Sequence, residues 1–295
     1  MKLALLNDFR EYAGAEHFAW EIIKYSPKSV GVDFIIPSDT IDFDKYDGFI
    51  LNNVVMFPVE SLIPIVEKKT YIKVEHDFGY CRMRNMINCK NCDMACPAQT
   101  MPFMKQLYEN AKTIYAISPA HMRFQMQQLA GWKVKYDCII PRIYKNIKLP
   151  DVERKPKSVA YLGTLRAYKG VYDIIKLAQT RPTYTFDLAG GQGFVKGQLP
   201  ENVHTLGKIE DIWKYLCEHE YFIHVPRQIE PFGATVVEAI IAKCKLIVND
   251  AVGALSFPFK TRDEWIHACE TSDVTTWEKF LTNFKGETIE NKTTT

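Results

Sequence analysis

Two open, parallel-stranded α/β sheets of Rossmann type, lying side by side, are the fold this sequence predicts. Three observations predict it. Short apolar runs rich in β-branched and aromatic residues alternate with stretches of helical spacing along most of the chain. A polar, proline-bearing stretch over residues 145–158, KNIKLPDVERKPKS, interrupts that alternation, and the same layout restarts beyond it. The length, 295 residues, is about twice a common domain of ~150. The division expected is a first domain over 1–150 and a second over 151–295.

In the first half KLALL, VDFII, DGFILNN, TYIKVEH, TIYAIS and KVKYDCII read as strands. They are apolar for most of their length, as parallel strands covered on both faces must be. Between them AGAEHFAWEIIKY, PVESLIPIVEK, PFMKQLYENA and PAHMRFQMQQLA have helical spacing. The last three open on proline, which a first turn tolerates because the missing N–H has no partner there anyway. In the second half SVAYLG, TFDLAG, YFIHV and KLIVND read as strands, with helices over GVYDIIKLAQ, IEDIWKYLCEH and ATVVEAIIAK. The terminal ENKTTT reads as a frayed tail. Open sheets bind ligands beyond the carboxyl ends of their strands, so two facing sheets predict a ligand in the cleft between them.

Composition narrows the partners. Hydrophobic residues make up 47% and charged residues 24%, an ordinary globular balance, and a net charge of +2 gives no argument for nucleic acid. No run approaches the ~20 apolar residues of a membrane span. The opening MKLALLNDFREYAG meets Asp8 and Glu11 too early for a secretion signal. Eight cysteines without such a signal fit a reducing compartment. The expectation is a cytoplasmic protein, with local basic patches available for peripheral contact at an anionic inner membrane face.

Three loops of the second half follow strands and should share one rim. YLGTLRAYKG places Gly163, Arg166 and Lys169 before a helix, where arginine can fork two phosphate oxygens and lysine acts as a point charge; read blandly, it is a solvated basic loop. LAGGQG, with Gly190, permits close backbone approach to a ligand, and equally makes a tight strand-to-helix turn. The third is EPFGATVVEA, Glu230 to Ala239. Phe232 and Gly233 make its turn, and the free amides around Gly233, Ala234 and Thr235 suit a phosphate or a sugar oxygen. Glu238, about one turn into the helix, is placed to accept from two ribose hydroxyls, and Glu230 from the other sugar. The bland reading makes Glu238 a solvated helix residue and Glu230 a favourable charge near the helix start.

With these residues in order, the chain resembles the retaining GT-B glycosyltransferases of the "glycosyl transferases group 1" family. The signature of two glutamates separated by seven residues around a Phe-Gly turn stands here as Glu230 and Glu238, and the upstream glycine–lysine loop as Gly163, Lys169 and Gly170. The resemblance implies a nucleotide-sugar donor, UDP- or GDP-linked, with Lys169 on its diphosphate, Glu238 on its ribose and Glu230 beside its sugar. In the first half, AGAE resembles the family's glycine-rich helix start, with Gly14 near the donor, and EHDFGYC puts His76 near the donor sugar. Ser118 reads as a helix cap first and a ligand second. One departure stands out: Thr164 replaces the usual arginine, and Arg166 is the candidate substitute. The resemblance also implies retention of anomeric configuration, metal-independent catalysis, and a glycan or lipid-linked acceptor.

Cys81, Cys89, Cys92 and Cys96 stand in one short loop, spaced C-x7-C-x2-C-x3-C. Four thiolates would complete a tetrahedral structural zinc; free thiols, a disulfide or an iron–sulfur cluster are the alternatives. Cys138, Cys217, Cys244 and Cys269 sit in apolar contexts and read as core. Asp42-Phe43-Asp44 spells a metal-holding D-x-D, but in a polar segment between strands, and reads as a surface loop. Two rivals from other classes are a nicotinamide-dependent oxidoreductase, opposed by the missing G-x-G-x-x-G after the first strand, and a non-catalytic metal or nucleic-acid binder organised by the cysteines.

Overall fold

A computed structural model describes residues 1–10, 14–81, 101–191 and 197–285. Its first sheet holds six parallel strands in the order β2-β1-β3-β4-β5-β6: β1 Lys2–Asn7, β2 Gly31–Ile35, β3 Gly48–Asn53, β4 Tyr71–Glu75, β5 Ile114–Ala116 and β6 Tyr136–Cys138. Leu3 to Leu6 are buried without a break, because helices cover both faces. Those helices are α1 Gly14–Lys24, α2 Val59–Lys68, α3 Pro102–Glu109 and α4 Pro119–Gln128. On α1, Phe18, Ala19 and Ile22 form the buried stripe. Ser118 caps α4, accepting from the His121 amide at 3.1 Å, with Pro119 in the first turn.

The second sheet holds five parallel strands in the order β11-β10-β7-β8-β9: β7 Lys155–Leu162, β8 Thr185–Ala189, β9 Val203–Gly207, β10 His219–His224 and β11 Lys245–Val248. Helices α5 Val171–Gln179, α6 Ile212–Cys217 and α7 Ala234–Ile241 connect them. The stretch read as linker already enters β7 at Lys155, and β9 was not anticipated, since only Val203 of its five residues is buried.

The last helix, α8 Arg262–Phe284, opens on a capping box between Thr261 and Glu264. It follows the second sheet in sequence and bridges the two domains, starting against α7 and Phe232 and ending against the first sheet. Trp277 Nε1 donates to Ile22 O at 3.1 Å, Tyr115 Oη to Lys279 O at 2.8 Å, and Thr113 Oγ1 to Asn283 Oδ1 at 2.8 Å. One hydrophobic cluster therefore runs from Leu3 and Phe18 through Trp277 and Phe280 to Val236 and Phe222. No helix among the described residues is long and apolar enough to cross a membrane.

Strand order reverses between β1 and β3 in the first sheet and between β7 and β10 in the second. The loops leaving these four strands flank the crevices where open α/β sheets hold ligands.

Candidate active site

Those loops converge on one cleft of about 1540 Å³, lined from both domains. The exit of β7 contributes Gly163, Thr164, Arg166, Tyr168 and Lys169; the exit of β10 contributes His224, Gln228 and Glu230 to Thr235; the first domain contributes Asp8, Gly14, Glu16, His76, Asp77 and Arg142, among others.

At its centre is a charge pair. Lys169 Nζ bonds to Glu230 Oε2, with the two side chains only 20% and 16% exposed. His224, at the end of β10, holds Nε2 3.7 Å from the same oxygen. Burial by itself raises the Glu230 carboxyl; His224 and Lys169 more than offset that and hold it down to about 2, so Glu230 is ionised at any physiological pH. Both ring nitrogens of His224 lack a hydrogen-bond partner among the described residues.

Beside the pair lies the start of α7. Gly233 takes the left-handed conformation, φ 83°, that lets the chain turn into the helix. The first-turn amides of Ala234 and Thr235, at the cleft wall, have no intrahelical acceptor and form an anion-attracting end. Phe232 is 4% exposed and anchors the turn in the core, edge-on to Trp265 and Phe257. The turn is also tied across the domains: Ser118 Oγ donates to Pro231 O at 2.5 Å, so Ser118 is both a cap and an interdomain bond.

Across the cleft, His76 Nε2 meets Asn52 Oδ1 at 2.8 Å, and burial pushes its pKa down to about 3, which keeps the imidazole neutral. Gly14 opens α1 at the cleft wall, with empty space where a Cβ would stand.

Two expected donor-binding residues stand back from the wall. Glu238 is 4% exposed; its Oε1 accepts from Tyr144 of the interdomain segment, and its Oε2 has no hydrogen-bond partner among the described residues. Gly190 does not line the cleft, and its role here is packing: a Cβ there would fall 1.8 Å from Gly163 O. Gly190→Ala is therefore expected to destabilise the fold by about 1–3 kcal/mol through forced displacement of the Gly163 loop. An unchanged urea midpoint would show the two loops slide apart freely.

Reading the sequence missed His224, Arg142 and Tyr144. His224 carried a usable signal, a polar residue at the carboxyl end of an apolar strand; Arg142 and Tyr144 carried none, lying in an irregular connection. Of the cysteine loop, Cys81 is half-buried and bonded to no other cysteine among the described residues, while Cys89, Cys92 and Cys96 lie outside them. Asp42 caps a 3-10 turn and exposed Asp44 pairs with Lys69 at 2.8 Å, so the D-x-D is a surface loop.

Residues 145–257 match the sequence model of the family described as Glycosyl transferases group 1. No curated protein matches the sequence significantly. In structure the chain is similar to the Anabaena protein HepE solved in complex with UDP and glucose, over 97% of both chains, at 15% identity and a TM-score of 0.64. It is similar to WaaG, a glycosyltransferase involved in lipopolysaccharide biosynthesis, over 97% of this chain and 94% of that one, at 10% identity and a TM-score of 0.56. The pneumococcal O-GlcNAc transferase GtfA, in complex with UDP and GlcNAc, is similar over 81% of this chain and 52% of its own, at 16% identity and a TM-score of 0.55. The fold is thus GT-B, two Rossmann-like domains about a cleft, and the resemblance seen in the motifs is also found by comparison.

Proposed function

We propose, from a second domain matched to the group 1 glycosyl transferases and a GT-B fold, that this protein is a retaining glycosyltransferase using a UDP-linked hexose. The observation that carries the reading is convergence: Lys169, Arg166 and the α7 amides meet Glu230 and His76 in one cleft. The first three suit a diphosphate and the last two suit sugar hydroxyls. HepE and GtfA, each solved with UDP, support uridine over guanosine as the base.

As the glycosidic bond breaks, negative charge accumulates on the leaving diphosphate. Lys169, exposed Arg166 and the helix amides are fixed positive groups that stabilise it, so the chain supplies the countercharge itself and the reaction needs no divalent ion. Glu230, held ionised, favours positive charge developing on the transferred sugar and accepts from its hydroxyls. The acceptor hydroxyl, on a glycan or lipid-linked molecule, attacks the anomeric carbon from the face the nucleotide leaves as the bond to the diphosphate breaks. Its proton passes to the departing phosphate oxygen, and configuration is retained. The ribose role is carried to Glu238 by the resemblance. Its Oε2, without a hydrogen-bond partner among the described residues, lies buried behind the cleft wall, so the wall in front of it must shift as the donor seats.

Nucleotide release from a panel of UDP-, GDP-, ADP- and CDP-sugars tests this. Release from a UDP-sugar is expected, and Glu238→Gln should weaken donor binding about 10–100-fold, the loss of a charge-assisted hydrogen bond. Absence of binding to every nucleotide on the panel would sink the transferase reading.

A further inference from the structure

Four side chains run inward from the cleft: His76, Asn52, Asn7 and Glu16. Asn52, Asn7 and Glu16 are 1%, 0% and 3% exposed. A backbone carbonyl, which can only accept, fixes the orientation of each amide. Asn52 Nδ2 lies 2.9 Å from Ala15 O and 2.8 Å from Asn7 Oδ1. Asn7 Nδ2 lies 2.8 Å from Phe9 O and 3.1 Å from Glu16 Oε1. The Asn52 atom facing His76 Nε2 is therefore Oδ1, another acceptor. Two acceptors cannot bond, so Nε2 carries the proton, and a neutral imidazole has only one. Its Nδ1 is left as a lone pair with no hydrogen-bond partner among the described residues, on a residue that lines the cleft.

We propose that Asn52 and Asn7 are positioning residues that lock His76 in the Nε2–H form, making Nδ1 an obligate acceptor for a hydroxyl or amide N–H of the transferred sugar. This rests on the glycosyl-transfer reading. It makes His76 a selector and not a base. Burial first, with Lys73, His121 and Arg142 nearby, keeps the ring neutral against the pull of Glu75 and makes it too weak a base to take a hydroxyl proton. A sugar lacking the donating group at that position leaves Nδ1 unpaired and is rejected.

Nitrogen-15 NMR of the full-length protein, with His76 assigned by its loss in His76→Gln, reads the tautomer directly. A neutral Nε2–H ring is expected throughout, with the Nδ1 resonance moved by UDP-glucose and not by UDP. An Nδ1–H ring, or an Nδ1 signal indifferent to bound UDP-glucose, overturns the proposal. Calorimetry on the same samples separates the two ideas: no binding of UDP or UDP-glucose overturns the transferase reading and the role of Nδ1 with it, while the spectrum still decides the tautomer. Asn52→Asp adds a kinetic readout. A carboxylate beside the ring favours its charged form, so turnover should acquire an acid limb, falling as pH drops through a neutral-range pKa, where wild type stays flat above about pH 5. A profile parallel to wild type contradicts the positioning role. If the buried carboxylate unfolds that variant, the wild-type spectrum still decides.

Discussion

Lys169→Ala is expected to lower donor turnover by about 10²–10³-fold, the usual loss when one preorganised charge-stabilising group is removed. The ammonium serves two purposes that the variant separates. It offsets charge on the leaving diphosphate, and in the donor-free protein it neutralises Glu230, whose side chain is only 16% exposed. Without it, burial pushes the Glu230 carboxyl back up, with the His224 ring still 3.7 Å away. The stability consequence has a definite sign. The native carboxyl is held at about 2, below the ~4.3 of an unfolded glutamate. Stabilisation from the pair is therefore complete above the unfolded value and disappears as pH falls through the native one. Lys169→Ala should flatten that acid limb in denaturation curves, and adding Glu230→Gln should recover stability without recovering turnover. Turnover within threefold of wild type in Lys169→Ala would remove the diphosphate role.

The parts of this site legible in the sequence are those set by local chemistry. A basic loop after one strand, and a glutamate–turn–helix after another, require only that parallel strands end on the same side, which alternation alone predicts. Gly14 and His76 were placed on the opposing wall by resemblance to the family's motifs, not by alternation, and both line the cleft. What stayed hidden depends on long-range contact. Tyr144 bonded to Glu238 spans 94 positions, and Ser118 bonded to Pro231 spans 113. No periodicity encodes either. The helix α8 was not anticipated. Its capping box, Thr261 to Glu264, is written plainly in TRDE, but its buried Trp265, Cys269, Trp277 and Phe280 do not say which sheet they will meet. Gly190 was legible as a ligand approach or a tight turn, and backbone crowding against Gly163 requires glycine there with or without a ligand.

The second large effect is expected away from the substrate, on β4. Lys73 and Glu75 are i and i+2 on this strand, so their side chains share a face, and they pair at 3.1 Å with 4% and 2% of each residue exposed. Burial raises Glu75, but Lys73 and the Tyr108 hydroxyl outweigh it and leave the carboxyl below its ordinary range. Lys73→Met strands that carboxylate and should cost about 3–5 kcal/mol in urea denaturation. Lys73→Met with Glu75→Leu removes both charges, and part of the loss should return, the rest being withheld by the Tyr108 hydroxyl and Gly79 amide that Glu75 had satisfied. Recovered stability need not mean restored activity. Glu75 Oε1 also accepts from the Gly79 amide at 3.0 Å, and so shapes the turn that directly follows His76 and Asp77. The double variant should therefore fold and yet turn over poorly, because the loop loses the carboxylate that closes it. Recovered stability with full turnover would reduce the pair to packing; recovered stability with a raised KM for the donor would show that this buried charge is kept to position His76 in the cleft.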